Sequence, residues 1–97
     1  MHHILIAVDC WHNMPDDQVR AIADTQADLH IHHTAGEGTA HNIMPPWHDC
    51  ERETLIKHVK QHQPCTVTYV GQWWQECLQN KPLGIRWLSQ FRPWVNI

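Results

Sequence analysis

Ten histidines, four cysteines and six tryptophans among 97 residues define the chemistry open to this chain. Cysteine offers a nucleophile, histidine a proton carrier, and both serve as zinc ligands where the fold brings partners within reach. Two placements point to a reaction. Asp9 follows the apolar run Ile4 to Val8, and Cys77 follows Gly71 by six residues. An acid at the end of a buried strand faces a crevice, and a cysteine near a helix start feels the positive end of the dipole, which favours thiolate. Together they form a nucleophile and its proton manager. Each also has a plainer role, since Asp caps loops and Cys is among the most buried residue types. His12, His32 and His48 form a candidate zinc set, with His30, His41, Cys10 and Cys50 approaching the same edge. Polar surface histidine is the plainer reading of that group.

These residues acquire positions from the elements around them. Ile4-Leu5-Ile6-Ala7-Val8 is short, continuous and rich in β-branched residues, as in a strand buried on both faces. Pro15 with Asp16 and Asp17 opens a helix, and Val19, Ile22, Ala23 and Gln26 give it one stripe. A strand over 28–33 follows, with Leu29 and Ile31 on one face and His30 and His32 on the other. Residues 34–48, with Gly36, Gly38, Pro45 and Pro46, read as loop. A second helix runs over about 49–62. Acids lie early in it, and Lys57, Lys60 and His62 late, matching the macrodipole; Leu55, Ile56 and Val59 are its buried face. Pro64 stops it. Residues 65–70 form a clear strand ended by Gly71. A third helix follows in two pieces, broken at Pro82 and Gly84, with Ile85, Leu88 and Phe91 apolar in the second piece. Trp94 to Ile97 make a last edge strand.

The order β-α-β-loop-α-β-α-β predicts one α/β domain over residues 1–97. It is a three-layer, Rossmann-like domain with a short, mainly parallel sheet of about four strands. Ligands of such sheets bind outside the carboxyl ends of the strands. Asp9, Cys10, Trp11 and His12 follow strand one there; His32 and His33 end strand two; Gln72, Trp73 and Trp74 follow strand three. That group would line the pocket of a small-molecule site around Asp9 and Cys77.

The same residues carry a family resemblance. Ile4 to Asp9 resembles the opening strand of the isochorismatase-like cysteine hydrolases, which ends in a catalytic Asp. Thr54-Leu55 and then Val67-Thr68-Tyr69-Val70-Gly71-Gln72-Trp73-Trp74-Gln75-Glu76-Cys77-Leu78 resemble that family's helix, strand, glycine and nucleophile. Cys77-Leu78-Gln79-Asn80-Lys81-Pro82-Leu83-Gly84-Ile85-Arg86 is similar to the run that follows the nucleophile in one branch. The resemblance covers residues 4–9 and 54–92. It implies a Rossmann-like sheet, an Asp–Lys–Cys triad and hydrolysis of small amides or esters, with Asp9 as acid/base and Cys77 as nucleophile. Backbone N–H groups just before Cys77 would hold the oxyanion. The chain departs from the pattern in its shortness and in its lysine: residues 28–49 contain none, and Lys57 lies in a helix. A thiolate without that cation loses stabilisation. Two functions therefore stand side by side. One is a truncated, catalytically impaired pseudoenzyme acting as an interaction or structural module. The other is a cysteine-dependent hydrolase.

Composition narrows the partners. With 42% hydrophobic and 18% charged residues the chain is a folding sequence, not a disordered tail. A net charge of -3 argues against nucleic-acid binding through a basic field. No apolar run approaches the ~20 residues of a membrane helix. The first residues lack the basic lead and cleavage site of an export signal, so a reducing, cytoplasmic location with free thiols is expected, inside a larger particle or not. Six tryptophans exceed what so small a core hides. Trp11, Trp47, Trp73 and Trp94 fall in expected loops or at an edge, while Trp74 and Trp87 suit the core. Exposed aromatics and two open sheet edges predict self-association or a protein partner.

Overall fold

The β-branched run at the N-terminal end forms the central strand of the sheet. In the computed structural model, which describes residues 2–8, 16–33, 48, 50–71, 79–80 and 82–97, strand β1 is His2–Val8. Helix α1 is Asp16–Ala23, β2 is Leu29–His33, α2 is Arg52–His62 and β3 is Cys65–Gly71. The short helix α3, Ile85–Leu88, runs into a 3-10 turn at Ser89–Phe91, and β4 is Val95–Asn96. The four strands are all parallel in the order β2-β1-β3-β4. The expected α/β architecture and four-stranded parallel sheet are present. No described helix is long and apolar enough to cross a membrane.

The order explains the layers. The chain steps from β1 outward to β2, then back across β1 to β3 and onward to β4. Right-handed crossovers in opposite directions put their helices on opposite faces. Leu55 and Val59 of α2 and Leu88 of α3 share a core cluster with Ile4, Ile6 and Val8. By the period of two, Leu5 and Ala7 point to the other face, where Ala23 of α1 is buried. Each fully buried aliphatic contributes about 1.5–3 kcal/mol, so this one cluster dominates the stability of so short a chain.

Two strands are longer than the sequence suggests. Strand β1 begins at His2 rather than Ile4, because its ladder with β3 starts at His2 and Cys65. Gly71, expected just past the end of β3, is its last residue and pairs with Val8. Helix α2, in contrast, starts at Arg52, inside the expected 49–62. Near residue 48 the edge of β2 is partly covered: His32 N–H donates to the His48 carbonyl and His48 N–H to the His30 carbonyl. Trp94, expected at an exposed edge, is half-buried; it stacks on Phe91 with Lys60 5.2 Å from its ring centroid. Trp87 is half-buried between Phe91 and Arg52. Trp11, Trp47, Trp73 and Trp74 lie outside the described residues.

Candidate metal centre

The strand period and the helix period together bring three histidines to one place. His2 has the parity of Ile4, Ile6 and Val8, so its side chain stands on the face that α2 covers. His58 and His62 are four residues apart and lie on one flank of α2, beside the buried Leu55 and Val59. One ring nitrogen from each of His2, His58 and His62 lies within 4.8 Å of the other two. The Nε2 atoms of His2 and His58 are 2.7 Å apart, a hydrogen bond in which one ring donates and the other accepts. The His2 and His62 rings stack with centroids 4.2 Å apart, and those of His58 and His62 are 4.6 Å apart.

The surroundings fix this group from both sides. The buried Cys65 thiol faces the His62 carbonyl at 3.4 Å and the Val59 carbonyl at 3.8 Å, at the end of α2 where carbonyls lack helical partners. Burial pushes the Cys65 thiol up, keeping it protonated and able to donate. On the opposite side Asp28 precedes β2. Its N–H donates to the His3 carbonyl at 2.8 Å, and its Oδ2 accepts the His3 N–H at 2.8 Å. The same Oδ2 stands 3.6 Å from His2 Nδ1. That His3 N–H, more than any other group, holds the Asp28 carboxyl below its ordinary range. The His3 ring turns to the other face, with Nδ1 on the Gln26 carbonyl and Nε2 on Thr68 Oγ1.

The electrostatics favour the neutral form of His2 and His58. Burial first, then His62, lowers the basicity of His2, against the raising influence of Asp28. Burial again comes first for His58, followed by His2 and His62. Neutral imidazole is the form that donates a lone pair to a metal. The three converging ring nitrogens, with a carboxylate beside the far nitrogen of one ring, make a donor set suited to zinc and similar borderline cations.

The residues expected at the carboxyl edge fare differently. His33 lines an open groove of about 650 Å³ with Cys50, Arg52 and Leu83. His32 is 1% exposed and shares the sheet face of Leu5 and Ala7, away from α2. His48 is exposed and contributes its backbone to the β2 edge. Asp9, Cys10, Trp11, His12, Gln72, Trp73, Trp74 and Cys77 lie outside the described residues. Val8 and Gly71, the last residues of β1 and β3, are paired. Among the described residues the histidines that meet are thus at the amino end of the sheet, not at the carboxyl edge. The spacing of His58 and His62 on a helix is a legible metal-ligand signal, but helix charge already accounts for His62, and His2 precedes the apolar run. Cys50 and Cys65 form no disulfide among the described residues, in line with the thiols expected of a reducing compartment. Comparison with protein-family models, curated proteins and solved structures gives no match, so the likeness to isochorismatase-like hydrolases rests on the residues quoted for it.

Proposed function

We propose that this chain is a small α/β module that holds one transition-metal ion, zinc foremost, at His2, His58 and His62. It works as a structural or interaction module rather than as an enzyme. One observation carries the metal assignment: three imidazole nitrogens from two elements distant in sequence converge within 4.8 Å. Zinc joins such ligands at about 2.0–2.1 Å, with water or a further donor completing the tetrahedron. The ion would fasten the start of β1 to the end of α2, an end-to-end bond that a short chain with one core cluster lacks. The module reading also fits an isochorismatase-like domain without a lysine in residues 28–49, assembled with itself or with a protein partner in a reducing compartment.

The test is metal titration of the purified, chelator-washed chain. Cobalt(II) should give d–d absorption typical of tetrahedral nitrogen ligation, saturating at one ion per chain and displaced by zinc. Cobalt that stays octahedral, or zinc uptake unaffected when His58 and His62 are both replaced by Gln, would refute the assignment.

A second reading keeps the hydrolase. Its support is that the two strands preceding Asp9 and Cys77 in the sequence end at one in-register pair, Val8 and Gly71. A working Cys77 would be alkylated by iodoacetamide near neutral pH much faster than the buried Cys65. A Cys77 no faster than the same thiol in urea would end that reading.

A further inference from the structure

We infer that Asp28 is the positioning residue of this metal centre, setting which nitrogen of His2 faces the ion; the inference rests on the metal reading above. Asp28 and His3 exchange two hydrogen bonds of 2.8 Å, one through the Asp28 N–H and one through its Oδ2. The carboxylate is therefore anchored by main chain at the first residues of β1, independently of any metal. From that anchor Oδ2 stands 3.6 Å from His2 Nδ1, on the side of the ring away from the Nε2 that meets His58.

A neutral imidazole carries one N–H, and its position decides which nitrogen can ligate. A carboxylate opposite Nδ1 favours Nδ1–H and leaves the Nε2 lone pair for the site. His58 Nε2–H then donates to His2 Nε2 across their 2.7 Å contact. To ligate, His58 must give up that proton and carry one on Nδ1 instead, so the exchange is balanced within neutral rings.

The distances add a direction. Two nitrogens on one tetrahedral zinc stand about 3.3 Å apart, given zinc–nitrogen bonds of about 2.0–2.1 Å. The His2–His58 contact of 2.7 Å must therefore open by about 0.6 Å. Asp28 flanks the other side of the His2 ring, so whatever part of that opening His2 takes up shortens the present 3.6 Å between Nδ1 and Oδ2 toward an ordinary N–H···O hydrogen bond. Metal entry and the His2–Asp28 hydrogen bond thus favour one another.

The experiment compares the native chain with Asp28→Asn and Asp28→Glu. Zinc affinity is read by competition with a chromophoric chelator, and the His2 ring by nitrogen-15 NMR of the zinc-loaded chain. Asn keeps an acceptor for the His3 N–H, and an unchanged melting midpoint in chelator verifies the fold. The expected result is a zinc affinity about 10–100-fold weaker in Asp28→Asn, with partial recovery in Asp28→Glu. The native chain should also show a slowly exchanging, downfield His2 Nδ1–H that Asp28→Asn loses. Native zinc binding with Asp28→Asn within twofold of it, or an Nδ1–H unaltered by the substitution, overturns the role of Asp28 alone. A native chain that takes up no zinc overturns the metal reading and this inference with it.

Discussion

Removing one histidine of the cluster should abolish a large thermal stabilisation by zinc. The perturbation is His58→Gln, which takes away the central ring: His58 is hydrogen-bonded to His2 and packed against His62. An ion that binds only the folded chain stabilises it by RT ln(1 + [L]/Kd), about 2.7 kcal/mol when free zinc is 100-fold above Kd. For a domain of this length, each kcal/mol moves the melting midpoint by about 4–8 °C. Zinc should therefore raise the native midpoint by about 10–20 °C. In His58→Gln two ring ligands remain, and the shift should nearly vanish at the same free zinc. The substitution itself should cost little without metal, about 1 kcal/mol, because His58 is only half-buried and loses one hydrogen bond. The assay is differential scanning calorimetry in buffered free zinc, with magnesium as a second cation and His33→Gln as a control at the opposite end of β2. A shift retained in His58→Gln, an equal shift with magnesium, or a shift lost in His33→Gln would each refute the reasoning.

Other expectations follow from the same geometry. His2 and His58 are less basic in the folded chain than the ordinary imidazole value of 6.5. The unfolded chain therefore takes up their protons first as pH falls. The stability tied to these rings is complete above about pH 6.5 and is lost as pH falls through their folded values, which urea midpoints from about pH 7.5 to 5 should show and His58→Gln should flatten. Asp28, held below its ordinary 3.8, contributes in the same sense but only at lower pH, so it does not mask the histidines. Leu55→Ala, in the core cluster, should destabilise by about 2–5 kcal/mol in urea unfolding, whereas the exposed Thr54→Ala should stay within about 0.5 kcal/mol; equal effects would contradict the packing of α2. Sedimentation at micromolar concentration should show self-association through the sheet edges, and a stable monomer with no partner present would dispose of that expectation.

How much of this was legible depended on which physical signal each residue carries. The β-branched runs of β1 and β3 and the opposed faces of β2 follow from side-chain alternation, and each stands in the structure within a few residues of where it was expected. The start of β1 was not legible, because histidine has no strand preference strong enough to extend the run from Ile4 back to His2. Yet that extension places His2 over α2. Helix α2 was legible as an amphipathic helix, and its late cations as dipole complements. The same residue types serve as ligands only when a third histidine arrives from another element, and no local pattern encodes that meeting. His32 shows the converse. Its place at a strand end suggested a pocket wall, but it stands beside β1 with Ala7 as its register partner, buried in the layer toward α1.

The fold gives the two ends of this sheet different work. The strand order places β2 and β4 on opposite sides of the β1–β3 pair, and sheets of this kind generally take ligands in a crevice outside the carboxyl ends of their strands. At the amino ends no such crevice is required, and the chain must instead hold the first residue of its central strand against the last turn of α2. A hydrophobic contact there would be exposed to water on one side, since His62 at the end of the helix is exposed. Three imidazoles tolerate that half-wet position better than aliphatics, because water satisfies whatever donor or acceptor the cluster leaves over. Their mutual repulsion when protonated is the cost. A bound cation would remove that cost by requiring the neutral form and by tying both elements to one atom. It would act at the point where the core cluster that includes Ile4, Leu55 and Val59 gives out. The stabilisation by zinc, set by free zinc and Kd alone, should be independent of how well that cluster packs. In Val59→Ala, one turn before His62 and beside Leu55, the metal-dependent rise in urea midpoint should persist in full while the metal-free midpoint falls. A rise that disappears with Val59→Ala would show instead that the core positions the histidines, and that the ion adds nothing the core does not already fix.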